Sequence, residues 1–264
     1  MSQKTPRLAL LLCDTPIPAV LQSSGDYHEI FKTFFRSALP SELVDFAIDA
    51  YDIRNKMEYP GDSQLDDYAG VVITGSAASA YEDVPWISNL VKWVANISTA
   101  KPELKIIGIC FGHQIIARAL GEDCVPNGGK WEVGVTEVGL TDLGKRIFGA
   151  DVLNIQQMHR DHVPTIPPSC HLLGSTSVSM NQGFVRFSPP TGGISAEKAL
   201  PHIQILTLQG HPEFTASIVK ELVDLRSANG IIDTETADDA RARANLRNDG
   251  VDVAGKAIWQ VIRA

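Results

Sequence analysis

An open, mainly parallel α/β sheet with helices on both faces, a small antiparallel portion and a C-terminal helical extension is the fold class this sequence predicts. Three observations predict it. Short, continuous apolar runs recur along the first half of the chain, as in strands covered on both faces. Helical spacing follows most of them, giving the strand–helix alternation of βαβ units. The middle of the chain carries strand-like stretches with short connections, the habit of antiparallel sheet.

Taken in order, "RLALLLCD" (Arg7 to Asp14) is the first buried strand. Residues 26–38 have amphipathic helical spacing, and "ELVDFAIDAYD" alternates as a strand does. "AGVVITGS" is another buried strand, ending at Gly75, and residues 84–98 form a helix opened by Pro85, a residue suited to the first helical position. "LKIIGIC" is the fourth strand, with a helix after Gly112 that runs to Leu120 and stops at Gly121, a glycine being the usual helix terminator. "WEVGVTEVGLT", "LNIQQMHRDHV", "HLLGSTSV" and "NQGFVRFS" make the antiparallel stretch. "HIQILTLQ" (His202 to Gln209) returns as a buried strand, followed by a helix from about Thr215 to Asn229. The remainder is one charged helix and a short amphipathic one. Residues 1–229 are therefore expected to form one domain, with residues 230–264 a helical extension packed on it; no repeat, low-complexity segment or linker interrupts the chain.

Composition narrows the function. With 264 residues, 44% hydrophobic and 20% charged, the chain can bury a large core. A net charge of −8 lacks the basic footprint of a nucleic-acid binder. Cys13, Cys110, Cys124 and Cys170 are too few and too dispersed for a disulfide framework, and no C-x-x-C pair suggests zinc. Neither a signal peptide nor a bilayer-spanning run is read. The expectation is a cytoplasmic protein with no membrane or nucleic-acid partner.

The chemistry centres on "IIGICFGHQIIARAL". Gly108-Ile109-Cys110-Phe111-Gly112 fits the G-x-nucleophile-x-G elbow, whose flanking glycines allow a sharp strand-to-helix turn that leaves the nucleophile accessible. A buried structural cysteine leaves both glycines unexplained. A helix N-terminus also favours thiolate over thiol. "LQGHPEF" places His211, with Glu213 two residues on, just past another buried strand. In a parallel sheet that strand end shares the carboxyl edge with the elbow, where open α/β sheets build their sites. His211 there exchanges a proton with Cys110 while Glu213 orients the imidazole. Taken alone, G-H-P-E reads better as a helix entry with two polar residues.

Elbow and H-P-E together resemble the class I glutamine amidotransferases, over roughly residues 7–229. The resemblance implies a flavodoxin-like open sheet with the elbow at its centre and a Cys110, His211, Glu213 triad. It implies an oxyanion hole from the backbone N–H groups of Gly75 and Phe111, although "TGSAAS" stands where many members have G-G-P-x-S or G-S-P-x-S. Gln114 matches a glutamine that helps hold substrate; a polar residue in a first helical turn is the competing account. "QMHRDHV" resembles the segment that meets the α-amino and α-carboxylate groups of glutamine, making His159 and Arg160 candidates for substrate binding. Met158-His159-Arg160-Asp161 is similar to plant γ-glutamyl peptidases. Of the other histidines, His28, His113, His162, His171 and His202 are expected at the surface or in a satisfied core.

The implied reaction is acyl transfer at the γ-carbonyl of glutamine or a γ-glutamyl compound through a thioester, with no metal or organic cofactor. No ATP-binding motif accompanies it; "PPTGGISAEK" and "NGGKWEVG" are glycine-rich only superficially. A stand-alone γ-glutamyl hydrolase or glutaminase is preferred over an ammonia-supplying subunit whose acceptor or synthetase subunit is another chain. A catalytically idle member used for binding or regulation is the alternative of another class. The C-terminal helices could form a docking surface, a lid or a plain solvated face.

Overall fold

The computed structural model describes residues 5–189 and 199–264. All of "PPTGGISAEK" except its first proline lies outside them. The chain begins β1 (Arg7–Leu12), α1 (Pro18–Ser24), α2 (Tyr27–Ser37), β2 (Ala47–Asp52), then the short α3 (Ile53–Lys56) and α4 (Asp62–Leu65). β3 (Gly70–Ile73), α5 (Pro85–Ala100), β4 (Lys105–Ile109) and α6 (Phe111–Ala119) follow. The middle holds β5 (Val125–Pro126), β6 (Glu132–Leu140), α7 (Asp142–Phe148), β7 (Val152–His159), β8 (Asp161–His162), β9 (Cys170–Leu172), β10 (Gly174–Ser175) and β11 (Phe184–Phe187). It ends with β12 (Ile203–Leu208), α8 (Ala216–Ala228), α9 (Thr234–Ala242), a π-helical turn at Gly250–Gly255 and α10 (Lys256–Arg263).

The central sheet runs β2-β1-β3-β4-β12-β11-β9. The pairs from β2 through to β12 are parallel, and β12-β11 and β11-β9 antiparallel. A separate antiparallel sheet, β10-β6-β7, forms beside it. Helix and sheet share two cores, one per face. Leu8 and Leu10 of β1, Val72 of β3 and Ile107 and Ile109 of β4 join Phe31, Phe35 and Trp259 on one side. Their alternates Ala9, Leu11, Val71, Ile73 and Ile106 pack with Ile87, Leu90, Ile115 and Ile116 of α5 and α6 on the other. Both faces being covered is why these strands are apolar without alternation.

Four helices escape the sequence expectation, the four-residue α3 and α4 and two longer ones, α1 and α7. α1 opens with Pro18 at its first position. α7 is capped by Thr141, which accepts from Gly144 N–H, and closes on Gly149 in the left-handed region. Even these two are only seven residues long, too short for a periodic pattern to stand out. The expected helix after Gly112 starts earlier, at Phe111, directly after Cys110.

The C-terminal segment is built into the fold. Arg243 donates to the carbonyl of Val133 on β6 at 2.8 Å and to that of Val135. Trp259 of α10 is fully buried, donates its indole N–H to Phe35 O at 3.0 Å and meets the rings of Phe35 and Phe46 edge-on. α10 is a core helix, whereas the charged α9 keeps Glu235, Asp238 and Asp239 exposed.

Candidate active site

β4 delivers Cys110 to the carboxyl edge of the sheet, where Cys110 N–H donates to Leu208 O at 2.8 Å and extends the pairing with β12. The residue has φ +52° and ψ −102°, a left-handed conformation costing a non-glycine residue on the order of 1–3 kcal/mol. Such strain persists only where the surroundings over-determine it. Here they do: a Cβ on Gly112 would stand 2.3 Å from Ile73 O, and one on Gly108 2.5 Å from Ile116 Cδ1 and 2.7 Å from Gly112 C. Both elbow glycines are thus demanded by the close approach of α6 to β3 and β4.

His211 follows β12. Its N–H donates to Gln156 O at 2.8 Å, a single bridge that ties the loop to β7. The loop is not a helix entry, since α8 begins only at Ala216. The imidazole is buried and stacks on Phe214, with ring centroids 4.0 Å apart and planes 4° from parallel. Nδ1 lies 2.7 Å from Glu213 Oε1; a carboxylate only accepts, so Nδ1 carries hydrogen. Burial by itself lowers the His211 pKa, but the Cys110 sulfur and the Glu213 carboxylate outweigh it and raise it to about 10. With its proton retained at neutral pH, His211 is a cation facing sulfur.

Gly75 wedges between these groups: a Cβ there would lie 2.7 Å from His211 Cε1 and 3.7 Å from Cys110 Cβ. Phe111 is the first residue of α6, so its N–H belongs to those that no helical carbonyl reaches. The loop after Gly75 has no proline, and Asp14 from the end of β1 holds it instead. One Asp14 oxygen accepts from Ala77 N–H at 2.6 Å and Ser76 Oγ at 3.3 Å; the other engages Arg54 and Thr15 N–H. Ser79 Oγ then donates to Asp161 Oδ2 at 2.7 Å.

Cys110, Gln114, His159 and Arg160 line one cleft of about 270 Å³. Gln114 is buried, donating to Asp161 O at 3.1 Å and Gln209 Oε1 at 3.2 Å. Gln209, not singled out in the sequence, directs its Nε2 at Cys110 Sγ from 3.7 Å; its place in "LQGHPEF" was the available signal. His159 is buried, its Nδ1 3.0 Å from Asp161 O and its Nε2 3.1 Å from Glu132 Oε2. Burial opposes the charge of Glu132, but His159, Thr176 and Gln182 outweigh it and hold its carboxyl below the usual carboxylate range. Arg160 is exposed, its guanidinium 5.7 Å from the centre of the Trp131 ring.

Of the other histidines, His113 is buried in the core with Nδ1 2.9 Å from Thr207 Oγ1, and burial pushes its pKa down to about 3. Among the described residues no helix is long and apolar enough to cross a membrane, and no group of three or more His, Cys, Asp and Glu is arranged to hold a metal ion.

An open, mainly parallel sheet with a strained cysteine elbow facing a His-Glu pair defines a class of cysteine-centred α/β proteins, and sequence comparison places the chain within it. Residues 26–223 match the family model of class-I glutamine amidotransferases, and the chain belongs to that family. It is 33% identical over 240 residues to a Schizosaccharomyces pombe protein called glutamine amidotransferase-like, covering 90% of this chain and 91% of that one. To gamma-glutamyl peptidase 4 of Arabidopsis thaliana it is 29% identical over 251 residues, covering 90% and 86% of the two chains. The crystal structure of a Thermotoga maritima glutamine amidotransferase superimposes with TM-score 0.70 at 19% identity, over 99% of this chain and 100% of that one, a likeness of fold.

Proposed function

We propose that this protein hydrolyses the γ-carbonyl C–N bond of glutamine or a γ-glutamyl compound through a thioester on Cys110. The observation that carries the proposal is the His211 imidazole, beside Cys110 at Gly75 and with its Nδ1 2.7 Å from Glu213 Oε1. The Cys110 sulfur attacks the carbonyl carbon, and the oxyanion is met by the N–H groups of Phe111 and Gly75. When the C–N bond breaks, its electron pair stays on nitrogen, which takes the His211 proton and leaves as ammonia or an amine. Water then attacks the thioester, giving its proton to the now neutral His211; the C–S bond breaks and glutamate is released with the sulfur as thiolate. Gln209 helps place the sulfur, and Gln114, His159 and Arg160 form the wall against which the glutamyl part lies. The identities to named amidotransferase-like and gamma-glutamyl peptidase relatives support this chemistry.

The test is glutamate release by purified protein from glutamine and from glutathione, beside Cys110→Ala. Sustained release that disappears in the variant, with a γ-glutamyl adduct on Cys110 in mass spectra of quenched samples, is the expected result. Release that survives Cys110→Ala, or no release from either substrate, would overturn it.

A further inference from the structure

The cysteine and the histidine open into different cavities. Cys110 faces the cleft of about 270 Å³, whereas His211 faces an adjoining cavity of about 210 Å³ lined also by Tyr27, Phe214, Leu222 and Leu225. Ser76, Ala77, Met158, Arg226 and Ile231 line both, forming a shared wall. Chemistry assigns the two spaces. The carbonyl must face sulfur, and the departing nitrogen must face the imidazolium that protonates it. The acyl part therefore occupies the first cavity and the leaving group the second. A water-sized leaving group such as ammonia needs only about 10–15 Å³ of such space; the second cavity is far larger.

Arg226, on α8, stands on the shared wall with its guanidinium 5.2 Å from the centre of the Trp131 ring, which Arg160 also approaches. Among the described residues no carboxylate oxygen lies within 4.0 Å of the Arg226 guanidinium. Burial, and to a smaller degree Arg160, push its pKa down from the usual arginine value, with the Cys110 sulfur, Tyr27 and Asp14 acting the other way. A half-buried cation with no carboxylate in direct contact is an arrangement that an anion completes.

We propose that Arg226 determines leaving-group specificity by pairing with a free carboxylate on the departing amine, so that γ-glutamyl amino acids and peptides are selected over glutamine and over γ-glutamyl amides of neutral amines. This rests on the hydrolysis proposed above. Phe214, Leu222 and Leu225 give the hydrocarbon of such a leaving group an apolar wall. When the C–N bond breaks, the amine takes the His211 proton while its carboxylate stays on Arg226.

The experiment compares kcat/KM for γ-glutamylglycine and γ-glutamylglycinamide, which differ only in that carboxylate, in the wild-type protein, Arg226→Gln and Arg226→Lys. The wild-type protein should prefer the acid by ~10-fold or more, the size of a charge-assisted contact. Arg226→Gln should bring the ratio near one, chiefly by raising KM for the acid, and Arg226→Lys should restore part of it. Equal wild-type values, or a preference that survives Arg226→Gln, would overturn the assignment and leave the hydrolysis standing. No Cys110-dependent release from either compound would overturn both.

Discussion

The His211 ring lies flat on the Phe214 ring, centroids 4.0 Å apart and planes within 4°. The contact joins the proposed acid–base group to the residue that follows Glu213. An aromatic face stabilises a cation above it by about 0.5–2 kcal/mol, so it adds to the ion pair that keeps His211 protonated.

Phe214→Leu should therefore lower the His211 pKa, by roughly half a unit to one unit. The sign follows from the role: the proton leaves the imidazolium more easily, and the acid is lost at lower pH. In the wild-type protein the alkaline fall in kcat/KM is expected near pH 10, set by His211. The variant's fall should lie at lower pH; superimposable profiles would show that the stacking is only packing.

Asp14 holds the loop that follows Gly75 through Ala77 N–H and Ser76 Oγ. Asp14→Ala frees both, and with them the orientation of the Gly75 N–H. Misplacing one oxyanion donor costs up to about 10²–10³ in kcat, so a fall of ~10-fold or more, with KM little changed, is expected from steady-state kinetics. A change confined to KM would place Asp14 in substrate binding instead.

His113 supplies a test of stability. Buried and neutral, it takes a proton near pH 3 in the folded protein, but near 6.5 when unfolded. The unfolded chain thus gains protons first, and stability falls as pH drops from about 6.5 toward 3. The slope from this one group is about 1.4 kcal/mol per pH unit. Urea denaturation across that range should show a shallower pH dependence in His113→Asn than in the wild-type protein. Parallel curves would assign the acid sensitivity to other groups.

Trp259 locks the C-terminal helix into the core beneath β4 and β12, with its indole bonded to Phe35 O. Trp259→Ala removes that contact and leaves a cavity, at a cost of about 3–5 kcal/mol. For a chain of this size each kcal/mol lowers Tm by about 2–4 °C. A thermal melt displaced by only a degree or two would mean that the extension contributes little to the fold.

Local signals carried much of this protein. Apolar runs marked the strands because both sheet faces are covered, and Gly108, Cys110 and Gly112 marked the elbow because a tight strand-to-helix turn admits few residue types. His211 and Glu213 were legible because they lie two residues apart, just past a buried strand.

Tertiary structure alone decided the rest. Asp14 reaches Ala77 across 63 residues, and Arg226 meets Trp131 from a helix near the other end of the chain. Each looks, in sequence, like any polar residue on an amphipathic or loop segment. The amphipathic pattern of α10 announced a helix but not the partner its apolar face would choose. Short-range conformational preference is written in a few adjacent residues; the partner of a side chain is set by where the folded sheet brings distant segments together.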